Sequence, residues 1–232
     1  DISMDVTRQA RQFLSQHSMA PGQLDLAAAC EEYRGEMARG LQGKESSLLM
    51  LPAYVSLGHP LPTQGQGAAL DMGGTNLRMA LAQWAQGGLN IRALQLLPTP
   101  GSRGTVTREE FLDIIAQGLG RYPAGCRVGF CFSFPAEITP DLDGKVLYFD
   151  KEVRVEGGAG MHLCRDLAAH MQARGMAAPE AGAVVNDTVA TLLGGYLAED
   201  RDAYDGFVGF ILGTGLNCCY CEQGGRITKL AP

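Results

Sequence analysis

The chain has 232 residues, of which 46% are hydrophobic and 19% are charged, and its formal net charge is −6. It has no apolar stretch long enough to cross a bilayer and no basic start followed by an apolar signal segment, so we expect a soluble, cytoplasmic globular protein with a sizeable core. The negative charge argues against a general nucleic-acid surface, and seven cysteines in a chain of this length suit a reducing compartment better than a disulfide scaffold.

Two helices are predicted first. Apolar residues recur at helical spacing from Met4 to about Ser18 and from Leu24 to about Leu41. Prolines and glycines then interrupt residues 51–67, which predicts a connecting segment. Three strands follow, at residues 67–71, 77–84 and 89–97. The next helix is predicted to begin near Thr107, where acidic residues suit the positive end of a helix.

Strands and helices continue to alternate in the second half of the chain. Strands are predicted at 127–133 and 183–185, helices at 163–173 and 188–197, and a hairpin from 207–212 and 217–222. This alternation indicates an α/β fold.

A glycine-rich turn lies between the first two predicted strands. Its sequence is Asp71-Met72-Gly73-Gly74-Thr75-Asn76-Leu77-Arg78. Gly73 and Gly74 can take positive φ and carry no Cβ, so backbone N–H groups there can approach a phosphate closely. Asp71 is placed to hold a magnesium ion through water, and Arg78 adds a cation. An ordinary tight hairpin remains the alternative for this segment.

Two further polar sites are predicted after the helix that begins near Thr107. Ser133 follows an apolar strand in Phe132-Ser133-Phe134-Pro135, and ligands usually bind at strand ends in an α/β sheet. A serine that caps a turn is the alternative. Lys151 follows a turn, and its ammonium is able to reach a phosphoryl group or a substrate oxygen, although a surface lysine fits the sequence equally well.

The segment Val185-Asn186-Asp187-Thr188 runs from a short predicted strand into a helix. An amide beside a carboxylate at a strand end suits a hydroxyl-bearing substrate whose proton must be accepted. The alternative is structural, because Asn and Asp are both preferred helix N-caps.

A second glycine-rich turn, Gly213-Thr214-Gly215-Leu216-Asn217, links the last two predicted strands. It offers free N–H groups, a hydroxyl and an amide, and a plain hairpin turn is again the alternative. Three cysteines follow it, at 218, 219 and 221. Zinc binding is disfavoured there, because adjacent strand residues point to opposite faces and no second Cys or His pair has ligand spacing.

Taken in order, these motifs resemble the hexokinase family of the actin-like ATPase superfamily, over about residues 66–222. The resemblance implies a two-lobed α/β fold with ribonuclease-H-like topology in each lobe, closing over a sugar, with ATP and Mg²⁺ at the lobe interface. It divides the chain into N-terminal helices that pack on the large lobe (1–62), a small lobe (63–187) and the first part of the large lobe (188–232). No membrane partner is implied.

The resemblance also assigns roles. Asp187 is expected to accept the proton of a sugar 6-hydroxyl, glucose being the first candidate, with Lys151 as a second catalytic residue. Expected sugar contacts are Ser133, Phe134, Pro135, Lys151, Asn186, Asp187 and Asn217. Expected nucleotide contacts are Asp71, Gly73, Gly74, Thr75, Asn76, Arg78, Gly213, Thr214 and Gly215, with Asp71 reaching Mg²⁺ through water.

The chain departs from the family pattern in two places. Asp150 stands where a threonine is usual, and Glu152-Val153 replaces Gly-Phe, which leaves the preferred sugar open. The chain also stops at Pro232, before the family's remaining sugar and adenosine residues, so we expect an incomplete second lobe and an inactive isolated chain. The alternatives are a non-catalytic sugar-binding or regulatory protein and an actin-like assembly ATPase, the latter disfavoured by Ser133 and Asn186-Asp187.

Overall fold

The computed structural model of the protein describes residues 2–55, 63–85, 88–197, 203–213 and 215–230. The chain divides into two compact units. One contains the residues up to Met50 together with those from Gln223 onward, and the other spans Leu51–Glu222. The boundaries expected at residues 62 and 187 stay a prediction. Within the described ranges, no helix combines the length and the apolar character that a bilayer crossing requires.

The first unit contains the helices α1 (Ile2–Gln16) and α2 (Leu26–Leu41). A carboxylate on α2 organises the chain that follows, because Ser46 Oγ and Ser47 N donate to Glu36 Oε2 at 2.6 and 2.7 Å. These hydrogen bonds lower the pKa of Glu36 to about 2. The carboxylate is therefore ionised at neutral pH and fastens residues 46–47 to the helix.

Two short 3₁₀ turns of the same unit lie at Gly224–Arg226 and Thr228–Leu230. They return to the end of α2 and the segment beyond it. Thr228 Oγ1 donates to Leu41 O at 3.3 Å, and Lys229 Nζ donates to Leu49 O at 2.6 Å. Long-range hydrogen bonds therefore hold the two chain segments of this unit together.

The second unit is built on a five-stranded sheet of order β3-β2-β1-β5-β9. Its elements in chain order are β1 (Gly65–Met72), β2 (Asn76–Ala85), β3 (Gly88–Pro98), β4 (Val106–Thr107), α3 (Arg108–Leu119), β5 (Arg127–Phe132), β6 (Ala136–Ile138), β7 (Gly144–Val146), β8 (Val155–Glu156), α4 (Leu163–Ala173), β9 (Gly182–Val185), α5 (Asp187–Tyr196), β10 (Val208–Leu212) and β11 (Leu216–Tyr220). Every element predicted from the sequence is present with ends close to those expected. The short strands β4, β6, β7 and β8 were not predicted.

The core lies between one face of this sheet and the helices α3 and α4. Its fully buried side chains include Leu70, Met72, Leu77, Met79, Phe111, Ile115, Phe130, Phe132 and Leu163. In β1 and β5 the buried residues alternate with more exposed ones, as a strand with one covered face requires. Asp71 and Cys131 therefore lie on the face opposite the core.

Strand direction determines where the polar motifs meet. β1 is antiparallel to β2 and parallel to β5, and β5 is parallel to β9. The carboxyl ends of β1, β5 and β9 consequently lie at one edge of the sheet, where α/β proteins usually bind ligands.

The hairpin of β10 and β11 packs against α5. The contact is close, since a Cβ added at Gly209 would lie 2.1 Å from Thr188 O. Only glycine allows this backbone approach, and it brings the start of β11 beside the start of α5.

Candidate active site

Three of the predicted motifs meet at the carboxyl edge of the sheet. Ser133 N donates to Met72 O at 3.1 Å, which joins the end of β5 to the end of β1. Asn186 Nδ2 contacts Phe132 O at 3.4 Å, which joins the end of β9 to the end of β5. The glycine turn at residues 73–76, the serine segment and the Asn-Asp pair thus form one continuous polar edge.

The turn between β1 and β2 is closed by Gly73 N, which donates to Asn76 O at 3.0 Å. Gly73 and Gly74 can take positive φ, but neither of them has a left-handed φ in the structure. Glycine is needed at position 74 for a different reason. A Cβ there would lie 3.0 Å from the Cβ of Lys151, closer than most real Cβ contacts. Thr75 is exposed at the tip of the turn.

Thr99 hydrogen-bonds to the same turn. It was not predicted as a site residue from the sequence. Its side chain is buried, Oγ1 donates to Gly73 O at 2.6 Å, and its backbone N donates to Thr75 O at 3.0 Å. The available signal was its place directly after the third strand, between Pro98 and Pro100. Two hydrogen bonds from Thr99 therefore fix the conformation of the turn at residues 73–76.

Asp71 and Arg78 face each other across β1 and β2. Arg78 donates to Asp71 Oδ2 at 3.0 Å, and both side chains are about half exposed. An ion pair this exposed contributes little to stability, so both groups stay available to a ligand. One accessible carboxylate beside backbone N–H groups fits magnesium that arrives on a nucleotide, because Mg²⁺ usually keeps several waters and binds one or two carboxylates plus phosphates.

Cys131 lies beside Asp71 in the neighbouring strand. Burial, followed by the charge of Asp71 and a hydrogen bond to it, and then the charge of Asp187, raises the pKa of the Cys131 thiol to about 12. The thiol is therefore protonated at neutral pH and is a poor nucleophile. Cys131 was not predicted as a site residue from the sequence, although strand alternation places it on the other face of β5 from Phe130 and Phe132.

Lys151 is joined to the serine segment. Its Nζ donates to Ser133 O at 2.6 Å and lies 5.4 Å from the centre of the Phe134 ring. Ser133 and Phe134 are buried, and Pro135 is half-buried. The ring of Phe134 also packs against Phe132 and Phe149. Aromatic packing thus makes the strand end a firm support for the ammonium.

The sequence left two roles open for Asn186 and Asp187, helix N-cap and proton acceptor. Asn186 is the N-cap of α5, since its Oδ1 accepts from Thr188 N at 3.1 Å. Asp187 is the first helical residue, and its Oδ1 accepts from Thr188 N at 2.9 Å. Asp187 therefore places a carboxylate at the positive end of α5. Because Asn186 serves as the cap, Asp187 has a free oxygen for another partner.

The second hairpin contributes one contact to this edge. Asn217 Nδ2 donates to Asn186 Oδ1 at 2.9 Å, and Gly213 N donates to Gly215 O at 2.9 Å within the turn. Thr214, which the sequence assigned to the nucleotide, lies outside the described residues. Within the described part of the chain, no group of three His, Cys, Asp or Glu side chains is arranged to hold a metal ion.

The loop that carries Lys151 has an unusual backbone. Lys151 and Glu152 are both left-handed, with φ of 54° and 66°. A left-handed residue with a Cβ costs about 1–2 kcal/mol, and the family pattern expects glycine at 152. The backbone that presents Lys151 is therefore held in place against local strain.

Glu152→Gly is expected to raise the free energy of unfolding by about 0.5–1 kcal/mol, because relief of the left-handed strain exceeds the entropy that glycine adds to the unfolded chain. Glu156→Gly, in the extended strand β8, is the matched control and should lower it by about 0.5–1 kcal/mol. Urea unfolding of the chain measures both. A lower urea midpoint for Glu152→Gly than for the wild type would contradict the idea that the left-handed backbone at Glu152 is strained.

Comparisons with known proteins agree on one family. A family model described as hexokinase matches residues 9–197. Hexokinase-1 of Oryza sativa subsp. japonica is 35% identical over 227 residues, a match that covers 89% of this chain and 44% of that protein. Hexokinase-3 of Mus musculus is 31% identical, with 92% of this chain and 24% of that protein covered.

A solved structure of a hexokinase from Schistosoma mansoni complexed with glucose matches with a TM-score of 0.73 and 27% identity, over 87% of this chain and 46% of that one. The chain thus has the α/β architecture of the actin-like ATPase fold, and it spans less than half the length of each of these relatives. With most of its length matched by the family model, the chain belongs to the hexokinase family.

Proposed function

We propose that the protein containing this chain transfers the γ-phosphate of MgATP to the 6-hydroxyl of a hexose, with glucose as the first candidate. One observation carries the proposal. Asp187, the pair of Lys151 with Ser133, and the Asp71–Arg78 turn lie along a single sheet edge, joined by hydrogen bonds between their strands. The glucose in the matched Schistosoma mansoni structure supports the choice of sugar.

In this proposal the polar edge divides into a sugar end and a phosphate end. Ser133, Asn186 and Asn217 offer a hydroxyl and two amides to sugar hydroxyls, and such a site rejects analogues that leave its polar groups unpaired. The turn at 73–76 and Arg78 offer N–H donors and a cation to the nucleotide phosphates. Phosphoryl transfer depends mainly on this positioning and charge stabilisation.

The proposed chemistry is a single displacement. The 6-oxygen of the sugar bonds to the γ-phosphorus while the bond from that phosphorus to the ADP oxygen breaks, and the hydroxyl proton passes to Asp187. Lys151, which stands over Phe134, neutralises charge on the transferred group. Asp71 holds the magnesium of the nucleotide through water. In this scheme a charged side chain acts at each end of the displacement: Asp187 at the sugar hydroxyl and Asp71 at the nucleotide.

The proposal places this reaction in the cytoplasm, as the first step of sugar use. None of the seven cysteines forms a disulfide within the described residues, and thiols suit a reducing compartment.

The test uses the protein that the full reading frame around this chain encodes. We expect calorimetry to show glucose binding and a coupled assay to show glucose 6-phosphate formation with MgATP, and no phosphorylation of a sugar that lacks the 6-hydroxyl. Glucose binding without turnover would instead support a non-catalytic sugar-binding protein. Binding of neither glucose nor another hexose would overturn the proposal.

A further inference from the structure

We infer that Gly74 is a positioning residue for Lys151: its missing side chain lets the turn at residues 73–76 rest on the aliphatic part of the lysine and holds the ammonium on the sugar segment. The inference rests on the proposed function, since it concerns how the two ends of that site are coupled. Gly74 itself touches no sugar in this scheme and acts through the lysine.

The contact between the two residues is tight and specific. A Cβ added at Gly74 would lie 3.0 Å from Lys151 Cβ and 3.2 Å from its Cδ. The neighbouring Gly73 has no such constraint, because a Cβ there would meet only Asn76 O, at 3.9 Å. Of the two glycines in the turn, Gly74 is the one pressed against the sugar-binding lysine.

Neither partner of this contact is free to retreat. The turn is fastened by Thr99, which is buried and donates to Gly73 O at 2.6 Å and to Thr75 O at 3.0 Å. Lys151 is held at both ends, by its left-handed backbone and by the 2.6 Å hydrogen bond from Nζ to Ser133 O. A methyl group at position 74 must therefore displace the lysine side chain or break one of these hydrogen bonds.

The arrangement links the two ends of the site mechanically. A phosphate that orders the turn also sets the position of Lys151, and a sugar that engages Lys151 sets the position of the turn. A Cβ at position 74 requires the lysine side chain to shift by a few tenths of an ångström. Because misplacing a positioned group by about 1 Å can reduce activity about a hundredfold, this smaller shift is expected to have an effect of about tenfold without any direct contact to substrate.

A double-mutant cycle in the full reading-frame product tests the coupling. We expect Gly74→Ala to raise the glucose Kd about tenfold, a change of about 1.4 kcal/mol, while in a Lys151→Gly background, which removes the lysine Cβ together with the rest of the side chain, the same substitution has no further effect. Gly129→Ala is the matched control, because a Cβ there meets nothing within 4 Å, and it should leave the Kd unchanged. Isothermal titration calorimetry measures all five proteins, and thermal unfolding checks that each is folded.

Each outcome decides the inference. Equal effects of Gly74→Ala in both lysine backgrounds, or no effect in either, would overturn it while leaving the proposed function intact. If Gly74→Ala alone fails to fold, rescue of folding in the Lys151→Gly background supports the contact, and failure in both overturns it. A wild-type protein that binds no hexose refutes the proposed function, and this inference with it.

Discussion

Asp187→Asn is expected to lower the turnover number for hexose phosphorylation by about 10²–10⁴-fold in the full reading-frame product, the range typical of losing a general base. The glucose Kd should rise by no more than about tenfold, because an asparagine Oδ1 still accepts the hydrogen bond from Thr188 N and, of the sugar hydroxyls, the 6-hydroxyl alone exchanges a carboxylate acceptor for an amide. The coupled assay and calorimetry measure the two quantities separately.

The control for this variant removes a carboxylate from a comparable helix start. Glu109 is exposed in the first turn of α3, so Glu109→Gln loses the same favourable interaction with a helix dipole, worth about 0.3–1 kcal/mol, away from the site. Its turnover should match that of the wild type. If Asp187→Asn retains turnover within tenfold of the wild type, the assignment of Asp187 as the base is wrong.

Asp143→Ala is expected to lower the free energy of unfolding by about 3 kcal/mol, since it removes a carboxylate acceptor from three backbone donors, one buried and two part-buried. Asp143 is 5% exposed. Its Oδ1 accepts from Gly144 N at 2.7 Å and Cys164 N at 2.8 Å, and its Oδ2 accepts from Arg165 N at 3.0 Å.

The position of these donors explains the size of the effect. Cys164 and Arg165 open α4, whose N-cap residue His162 makes no side-chain capping bond. The carboxylate of Asp143, more than twenty residues earlier in the chain, supplies the missing cap. Losing it leaves two part-buried N–H groups at the start of a core helix without this acceptor.

Two further variants distinguish the capping of α4 by Asp143 from the simple loss of a negative charge in this turn. Asp143→Asn keeps one oxygen acceptor and should lose about half as much stability as Asp143→Ala. Asp141→Ala, in the same turn but exposed, should cost about 1 kcal/mol or less. Urea unfolding of the chain measures all three. Equal losses for Asp141→Ala and Asp143→Ala would show that the turn, and not the cap, matters.

Local patterns predicted the elements well because their causes are local. Alternation in β1 and β5 follows from one covered face, and the start of α3 follows from a capping box in which Thr107 and Glu110 lie three residues apart. The short strands β6 and β7 were missed, because three residues each give too little pattern to detect.

The site was predictable in part for the same reason. Ser133 and Asn186 each follow an apolar strand directly, and parallel pairing of β1, β5 and β9 brings those ends to one edge. Thr99 also follows a strand directly, but nothing local shows that it supports the turn at residues 73–76, and Cys131 gave no signal beyond strand alternation. Their roles come from contacts with Gly73 and Asp71, which lie in other strands or turns.

The glycine turn shows where sequence and tertiary structure divide. The sequence by itself determined that a glycine pair with flanking Asp71 and Arg78 connects two strands, because turn chemistry and strand pattern are local properties. Only the tertiary structure decided why Gly74 must be glycine, since the reason is not its own φ but the side chain of Lys151, more than seventy residues away, packed against it. Packing density between distant segments has no local signature, and it sets the positions on which the proposed chemistry depends.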